Sequence, residues 1–287
     1  MGGAGFASVP DFGFGGMLVM GESGFVEVEG GRLYYERDGD GPAVVLVSGG
    51  FQDVRMYAPQ IESLSSRYSL VRCDLRGFGR SSQPPDVAYR HCDDLRLLLD
   101  GLGIEGACVG GQSLGGTVAL DFAFAHPTMV SGIVLAPALP VLGWQWIEGF
   151  PVAPALKLGR ADGVEAFRTA FLELPLTSRT MASPEAAAAL RRMVADYTGW
   201  HLRHRDPAEF TAPDAIERLQ EIQAPALVLV GGHDVLDSRL VAERLARDLP
   251  NAEHHLIEHV GHAPNMEDPA LFNSLTLAFL DRTQPAG

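Results

Sequence analysis

The stretch "VGGQSLGGTVALDFAFAHP" (Val109–Pro127) surrounds one serine with glycines. Ser113 stands at the centre of Gly111–Gly115, a G-x-S-x-G pattern with apolar residues before it and a helical pattern after it. Glycine allows a sharp strand-to-helix turn where any side chain would clash with neighbouring main chain. The pattern is typical either of a Gly-rich turn or of a turn that exposes a nucleophilic hydroxyl. Other parts of the sequence have to distinguish a simple turn from a nucleophile.

Bulk composition limits the classes of partner that the chain can bind. Its 287 residues, 46% hydrophobic and 20% charged, are enough for one large α/β domain or one domain with an insertion. The formal net charge of −14 predicts no nucleic-acid partner and no anionic membrane surface, since both attract Lys and Arg patches. No stretch of the sequence reaches the roughly 18 consecutive apolar residues that a membrane span needs. The composition leaves the oligomeric state open.

The cysteines and the first residues indicate the cellular setting. Cys73, Cys92 and Cys108 include no C-x-x-C pair and are too few for a disulfide framework, which favours a reducing, cytoplasmic location. Residues 1–24 are Gly-rich and carry no basic residue, so they make a poor signal peptide. We interpret them as an N-terminal extension.

Strand and helix patterns alternate along most of the chain. Short apolar runs such as "AVVLVSGG" (Ala43–Gly50) are followed by amphipathic helical patterns such as "YRHCDDLRLLLDGLG" (Tyr89–Gly103). This alternation predicts an α/β fold with a mostly parallel, doubly wound sheet of about eight strands. Ligands of such sheets bind at the carboxyl ends of the strands.

One region interrupts the alternation. Residues 137–206 hold all three tryptophans and several helical patterns, but no convincing pattern of a buried strand. We therefore expect a helical cap there. It would be inserted late in the sheet, between the core segments 25–136 and 207–287.

Two further strand ends carry the partners that a nucleophilic serine needs. A free hydroxyl is a weak nucleophile and is activated by a base, usually His, that a carboxylate orients. Asp234 ends the strand pattern of "PALVLVGGHD", and His262 follows that of "EHHLIEHV". The chain order Ser, Asp, His is that of one triad architecture, so we predict Ser113 as nucleophile, His262 as base and Asp234 as orienting acid. Asp237 is a weaker alternative, because its position fits a helix cap.

The other histidines considered favour structural roles. His254 and His255 lie within a strand pattern, and His259 lies at its end. His201 and His204 have the i, i+3 spacing of one helix face but no obvious third ligand, so we predict no metal site. The glycines around the serine match no phosphate-binding loop or dinucleotide fingerprint, and we predict no cofactor.

These features together resemble the α/β-hydrolase fold superfamily, over about Phe25 to Thr283. The segment "CDLRGFGRSSQPP" (Cys73–Pro85) is similar to the D-x-R-G-x-G-x-S loop of its epoxide hydrolase, haloalkane dehalogenase and C–C hydrolase branch. We interpret that loop as structural. Its glycines make a turn, and Asp74 and Arg76 are expected to be ion-pair or backbone hydrogen-bond partners.

The resemblance also implies an oxyanion hole of two backbone N–H groups. Leu114, which follows the nucleophile, should supply one of them. The other should come from "VLVSGGFQD", where Ser48 replaces the usual histidine of a His-Gly-x motif and Gly49 matches its glycine. That alignment makes Gly50 the second donor, with Phe51 as the alternative register.

A serine nucleophile favours acyl transfer to water, with a small-to-medium carboxylic ester or lactone as the small-molecule substrate. By resemblance, C–C bond hydrolases of ring-cleavage products commonly carry Asn beside the serine and Trp after the histidine, where this chain has Gln112 and Ala263. Perhydrolase or haloperoxidase-like relatives often have an aromatic oxyanion residue, where this chain has Gly50. A ligand-binding, receptor-like protein is the alternative outside enzymes, and an intact triad counts against it.

The cap should line the substrate pocket with apolar side chains. Arg191 and Arg192 would suit a substrate carboxylate, but we interpret them as a solvated helix face. The predicted pocket residues are Phe51, Gln112, Trp144, Trp146, Phe150 and Trp200, with Phe167 and Phe171 as further aromatic residues of the cap wall.

Overall fold

The computed structural model describes residues 21–138 and 143–284. Its strands, in chain order, are β1 (Glu22–Val28), β2 (Gly31–Asp38), β3 (Ala43–Val47), β4 (Ser69–Cys73), β5 (Tyr89–Arg90), β6 (Ala107–Ser113), β7 (Val130–Ala138), β8 (Ala208–Glu209), β9 (Ala226–Gly231) and β10 (Ala252–Ile257). Eight of these strands form the central sheet in the order β1-β2-β4-β3-β6-β7-β9-β10, and β5 pairs with β8 outside it.

Most of the central sheet is parallel. β1 pairs with β2, and β2 with β4, in antiparallel register, whereas the pairs from β4 through β3, β6, β7 and β9 to β10 are parallel. All of β9 and most of β3 are buried, because helices cover both faces of a parallel sheet. Their sequences are therefore continuous apolar runs. The predicted α/β fold with a mostly parallel sheet of about eight strands is confirmed.

Helices connect the parallel strands. The α-helices are α1 (Ile61–Ser65), α2 (His91–Gly101), α3 (Leu114–Ala125), α4 (Ala153–Asp162), α5 (Val164–Leu172), α6 (Ser178–Ala182), α7 (Pro184–Asp196), α8 (Trp200–Arg203), α9 (Leu236–Asp248), α10 (Pro264–Glu267) and α11 (Pro269–Thr283). Turns of 3-10 helix lie at Val54–Gln60, Pro127–Met129, Pro175–Thr177, Ala215–Glu217 and Leu219–Glu221. Within the described ranges, no helix is both long enough and apolar enough to cross a membrane.

The segment "DAIERLQEI" (Asp214–Ile222), which leads into β9, forms two consecutive 3-10 turns. Its buried side chains Ile216, Leu219 and Ile222 recur every three residues. That is the period of a 3-10 helix, so the tighter turn directs all three toward the core.

Helices α4 to α8 lie in the chain between β7 and β9, within the segment predicted as a cap. We call residues 143–206 the cap segment. Its helices pack on the loop after β3 through Phe51, whose ring centroid lies 4.9 Å from Phe167, 5.4 Å from Phe171 and 5.2 Å from Tyr197. At the other end of the chain, β1 begins within the predicted extension, and residues 1–20 lie outside the described residues.

The loop after β4 is held by the two residues that its motif singled out. The Asp74 carboxylate accepts the Val54 amide at 2.7 Å and the Arg80 amide at 2.8 Å. Burial raises the pKa of Asp74 to about 7. Arg76 donates Nε and Nη2 to the Asp94 carboxylate at 2.5 and 2.7 Å, and both side chains are buried. Both residues therefore have the structural partners expected from the sequence.

Candidate active site

Ser113 occupies a strained turn between β6 and α3. It is the last residue of the strand, and its backbone angles are φ 59° and ψ −121°. A non-glycine residue in such a region costs on the order of 1–3 kcal/mol, and such strain clusters at functional sites. Phe51, with φ 64°, is the other non-glycine residue with positive φ in the described ranges.

Glycines make room for this turn. A Cβ on Gly111 would lie 2.3 Å from the carbonyl carbon of Gly115, and one on Gly115 would lie 2.1 Å from the Val47 oxygen. Both positions exclude any side chain. A Cβ on Gly110 would lie 2.7 Å from the Val134 oxygen, so that glycine relieves crowding against β7.

His262 and Asp234 meet at the neighbouring strand ends. Asp234 follows β9 by three residues and His262 follows β10 by five. The His262 Nδ1 atom lies 2.9 Å from each carboxylate oxygen of Asp234, and both residues are buried. Burial disfavours the charged imidazolium, but the charge and hydrogen bond of Asp234 outweigh it and raise the pKa of His262. The pair therefore stabilises a protonated histidine.

Gln112 is fully buried and contacts the backbone of His262. Its Nε2 donates to the backbone oxygen of His262 at 2.7 Å, and its own amide donates to the Tyr57 hydroxyl at 3.0 Å. Successive residues of a strand point to opposite faces, so Gln112 is fully buried while Ser113 lines the cavity at the strand ends. The sequence had placed Gln112 in the pocket; its place in the structure is under the histidine.

A cavity of about 540 Å³ opens between the strand ends and the cap segment. Ser113, His262, Gly50 and Leu114 all line it. The Nε2 atom of His262 is buried and has no hydrogen-bond partner among the described residues. The histidine therefore has one nitrogen bound to Asp234 and the other free.

The two predicted oxyanion donors lie side by side. A Cβ on Gly50 would lie 3.8 Å from the Cβ of Leu114. Leu114 is the first residue of α3, where backbone N–H groups have no acceptor within the helix. The amides of Gly50 and Phe51 donate no hydrogen bond to another residue in the described ranges. Either the Gly50 amide or the Phe51 amide is therefore free to act as the second oxyanion donor.

The aromatic pocket residues divide into two groups. Phe51 and Phe150 line the cavity, whereas Trp144, Trp146 and Trp200 are absent from its lining among the described residues. Trp146 packs its ring against Phe150 with centroids 5.5 Å apart. The Trp200 ring stacks against a histidine that does line the cavity. Of the further two aromatic residues, Phe171 reaches the cavity and Phe167 packs behind it.

Asp237, the alternative to Asp234, has a different set of partners. Its carboxylate accepts the Trp144 indole N–H at 2.9 Å and the amides of Ile147 and Glu148 at 2.8 and 3.0 Å. All three donors belong to the start of the cap segment. Asp237 therefore ties that segment to α9 and is not bound to His262.

Basic side chains in the cavity wall form a group that was not predicted from the sequence. Arg160 on α4, and Arg203 and Arg205 at and after the end of α8, line the cavity. Arg191 and Arg192, which the sequence had singled out, are exposed on α7 and are absent from the described lining. The basic run "HLRHR" (His201–Arg205) was the available signal.

The chain is similar to hydrolases of known sequence and structure. Residues 42–269 match the family model of the alpha/beta hydrolase fold. A "Putative carbamate hydrolase RutD" of Azorhizobium caulinodans is 30% identical over 86% of this chain and 94% of its own length. The solved structure of Est816, an N-acyl homoserine lactone degrading enzyme, is 29% identical with a TM-score of 0.75, over 89% of this chain and 100% of that one.

A second solved structure extends the likeness to lactone chemistry. The enol-lactonase of Burkholderia xenovorans LB400 is 26% identical with a TM-score of 0.77, over 90% of this chain and 99% of that one. The family model spans most of the chain and takes in the strand ends that carry Ser113, Asp234 and His262. The chain belongs to the alpha/beta hydrolase fold family, and it is a hydrolase.

Proposed function

We propose that the chain is a serine hydrolase that cleaves a carboxylic ester or lactone through an acyl-enzyme. One observation carries the proposal: the strained Ser113 and the unpartnered Nε2 of His262 border the same cavity, and Asp234 holds the other nitrogen of that histidine. A nucleophile, a base and an orienting acid are the parts that acyl transfer needs. Residues of the cap segment line the same cavity.

In the first half of the reaction, the Ser113 hydroxyl attacks the carbonyl carbon of the substrate. The hydroxyl proton passes to the free Nε2 of His262, and Asp234 stabilises the imidazolium that results. Negative charge develops on the carbonyl oxygen. The backbone N–H groups of Leu114 and Gly50 donate hydrogen bonds to that oxygen, aided by the positive end of α3.

In the second half, the tetrahedral intermediate collapses and the carbon–oxygen bond to the leaving alcohol breaks. His262 returns its proton to the leaving oxygen, which leaves an ester on Ser113. A water molecule then gives a proton to His262 and attacks that ester. The acid is released and Ser113 regains its proton, so the enzyme returns to its starting state.

A carbamate is the second candidate substrate. The relative with 30% identity is named a putative carbamate hydrolase, whereas the two structural neighbours are an N-acyl homoserine lactone degrading enzyme and an enol-lactonase. A serine attacks the carbonyl of a carbamate by the same steps. C–C bond hydrolysis, perhydrolysis and slow ligand binding are the further alternatives drawn from the sequence.

A substrate panel on matched variants tests the proposal. p-Nitrophenyl esters of graded acyl length, aliphatic lactones and p-nitrophenyl carbamates would be assayed on wild type, Ser113→Ala and Ser66→Ala. We expect Ser113→Ala to lower kcat/KM by about 10³-fold or more, because the nucleophile is lost. Ser66→Ala is the control, because Ser66 is exposed at the end of α1 and is absent from the described lining of the cavity. It should leave turnover unchanged. A fluorophosphonate should label Ser113, as located by mass spectrometry. Equal turnover by Ser113→Ala contradicts the proposal.

A further inference from the structure

The cavity wall carries a group of cations that the proposed reaction does not use. We call Arg160, Arg203 and Arg205 the cationic rim. All three side chains are exposed to solvent and line the cavity that Ser113 and His262 also line. Acyl transfer by a serine and a histidine needs no further positive charge, so the rim calls for a separate explanation.

No carboxylate of residues 21–138 or 143–284 pairs with the rim. Arg203 donates to the Thr198 backbone oxygen at 3.3 Å, and neither Arg160 nor Arg205 has an ion-pair partner in those ranges. Some exposed arginines outside the cavity do have carboxylate partners. Arg218, for example, pairs with carboxylates three and four residues away in its own segment.

The one carboxylate among the described lining residues is already engaged. Asp206 accepts the Tyr89 hydroxyl at 3.1 Å and the Ala208 amide at 3.0 Å, and it lies 3.4 Å from the His201 ring. These partners engage both of its carboxylate oxygens. The rim therefore keeps positive charge that the protein itself does not neutralise.

Apolar side chains stand next to the rim on the same elements. Leu156 lies one helical turn before Arg160 on α4, and Leu202 lies next to Arg203 at the end of α8. Both leucines line the cavity. The wall thus offers an apolar surface followed by guanidinium groups, which matches a ligand that has an apolar body and a charged end.

We propose that the natural substrate is an ester or lactone that carries a carboxylate on an apolar body, and that the rim binds this carboxylate. The inference rests on the proposed function and names its substrate class. Guanidinium groups suit a carboxylate because their planar forks donate two parallel hydrogen bonds. The chain as a whole has a formal charge of −14 and repels anions, so a local cationic site is needed to attract one.

Paired chromogenic esters test the inference by turnover. p-Nitrophenyl octanoate and mono-p-nitrophenyl suberate have the same acyl length and differ in a terminal carboxylate. We expect the ratio of their kcat/KM values, anionic to neutral, to fall about threefold in each of Arg160→Gln, Arg203→Gln and Arg205→Gln. The triple variant should lose about tenfold or more, since exposed ion pairs are individually weak. Added salt should also lower the wild-type ratio, because it screens the attraction between the arginines and the substrate carboxylate.

The control variant is Arg191→Gln, an exposed arginine on α7 outside the described lining. It should leave the ratio unchanged. An equal loss in Arg191→Gln would show an effect of overall charge and would overturn the inference. An unchanged ratio in the triple variant would also overturn the inference. If both esters were still hydrolysed in that case, the proposed function would not be affected.

A binding measurement separates the inference from the chemistry. Monomethyl suberate and methyl octanoate would be titrated into Ser113→Ala and into the same variant with the triple Arg-to-Gln change. We expect the triple change to weaken binding of the carboxylate ligand selectively. If wild type hydrolyses neither p-nitrophenyl ester, the proposed function fails, and selective weakening in this titration still supports the anion site. Equal weakening for both ligands contradicts it.

Discussion

The imidazole of His262 is the group whose protonation the proposed reaction depends on. The ring is buried, and its Nδ1 atom lies 2.9 Å from both Asp234 oxygens. The backbone oxygen of His262 accepts a hydrogen bond from Gln112. Burial alone would lower its pKa, but the Asp234 carboxylate raises it above the ordinary value of about 6.5. A general base acts only when it is neutral, so this raised pKa sets the acidic limit of activity.

The pH profile of kcat/KM should therefore fall on the acidic side with a midpoint above about 6.5. In Asp234→Asn, loss of the carboxylate charge lowers the pKa of His262, so that midpoint should move to lower pH. The same change should reduce kcat by about 10³–10⁴-fold, because the histidine is no longer oriented in the correct tautomer. Steady-state rates from about pH 5 to 9 measure both effects.

His259→Gln is the control for this profile. That histidine is exposed, and its Nε2 atom lies 2.8 Å from the carboxylate of Asp268, which precedes α11. Its variant should keep the wild-type midpoint and rate. An acidic limb that stays in place in Asp234→Asn, or that moves in His259→Gln, would contradict the assignment of His262 as the base.

At the scale of elements, α9 holds the beginning of the cap segment. The Asp237 carboxylate in its first turn accepts three N–H groups from Trp144, Ile147 and Glu148. Phe150, two residues after Glu148, lines the cavity. One carboxylate of the core thereby positions a wall of the candidate site.

Asp237→Ala should release this part of the cap segment. Its three acceptor bonds are lost together, so the amides of Ile147 and Glu148 should exchange with deuterium faster, as mass spectrometry of a peptide over 143–150 would detect. KM should rise more than kcat falls, because the change reaches Phe150 and leaves Ser113 in place.

Asp248→Ala is the matched control for this experiment, since that carboxylate pairs with Arg244 and Arg247 of the same helix. It should leave exchange over 143–150 unchanged. Slow exchange in both variants would show that other contacts hold the segment and would refute the anchoring role of Asp237.

At the scale of the whole molecule, one buried ion pair joins three parts of the core. Arg76 lies in the loop after β4, Asp94 lies on α2, and Arg76 also donates to the Glu29 oxygen in the turn between β1 and β2. The Arg76 side chain is completely buried and Asp94 is 4% exposed. Removal of one partner would leave an uncompensated charge in the interior.

Arg76→Met should therefore lower the free energy of unfolding by about 3–5 kcal/mol, the usual effect of breaking a buried pair. Urea denaturation followed by circular dichroism measures it. The control is Arg96→Met on α2, the helix of Asp94. The Arg96 guanidinium pairs with Asp100 near the surface, and that pair should contribute about 0–1 kcal/mol. Similar losses of unfolding free energy in both variants would contradict the larger contribution expected from the buried Arg76–Asp94 pair.

The sequence alone was sufficient for the fold class and for the candidate triad. Strand and helix periodicity is a local property, and it predicted the parallel sheet. The rule that parallel strands end at one edge then brought Asp234 near His262, as the structure shows. The glycines around Ser113 predicted the turn, because only glycine fits where a Cβ would meet main chain within 3 Å.

Tertiary structure alone decided which side chains surround the candidate site. Gln112 binds the oxygen of His262, 150 residues away, and Asp237 binds Trp144, 93 residues away. The tryptophans that composition suggested for the pocket lie outside its described lining, whereas arginines of the cap segment lie in it. Local periodicity says which face of an element is apolar. Which partner that face meets depends on how distant segments pack, and only the folded chain determines that.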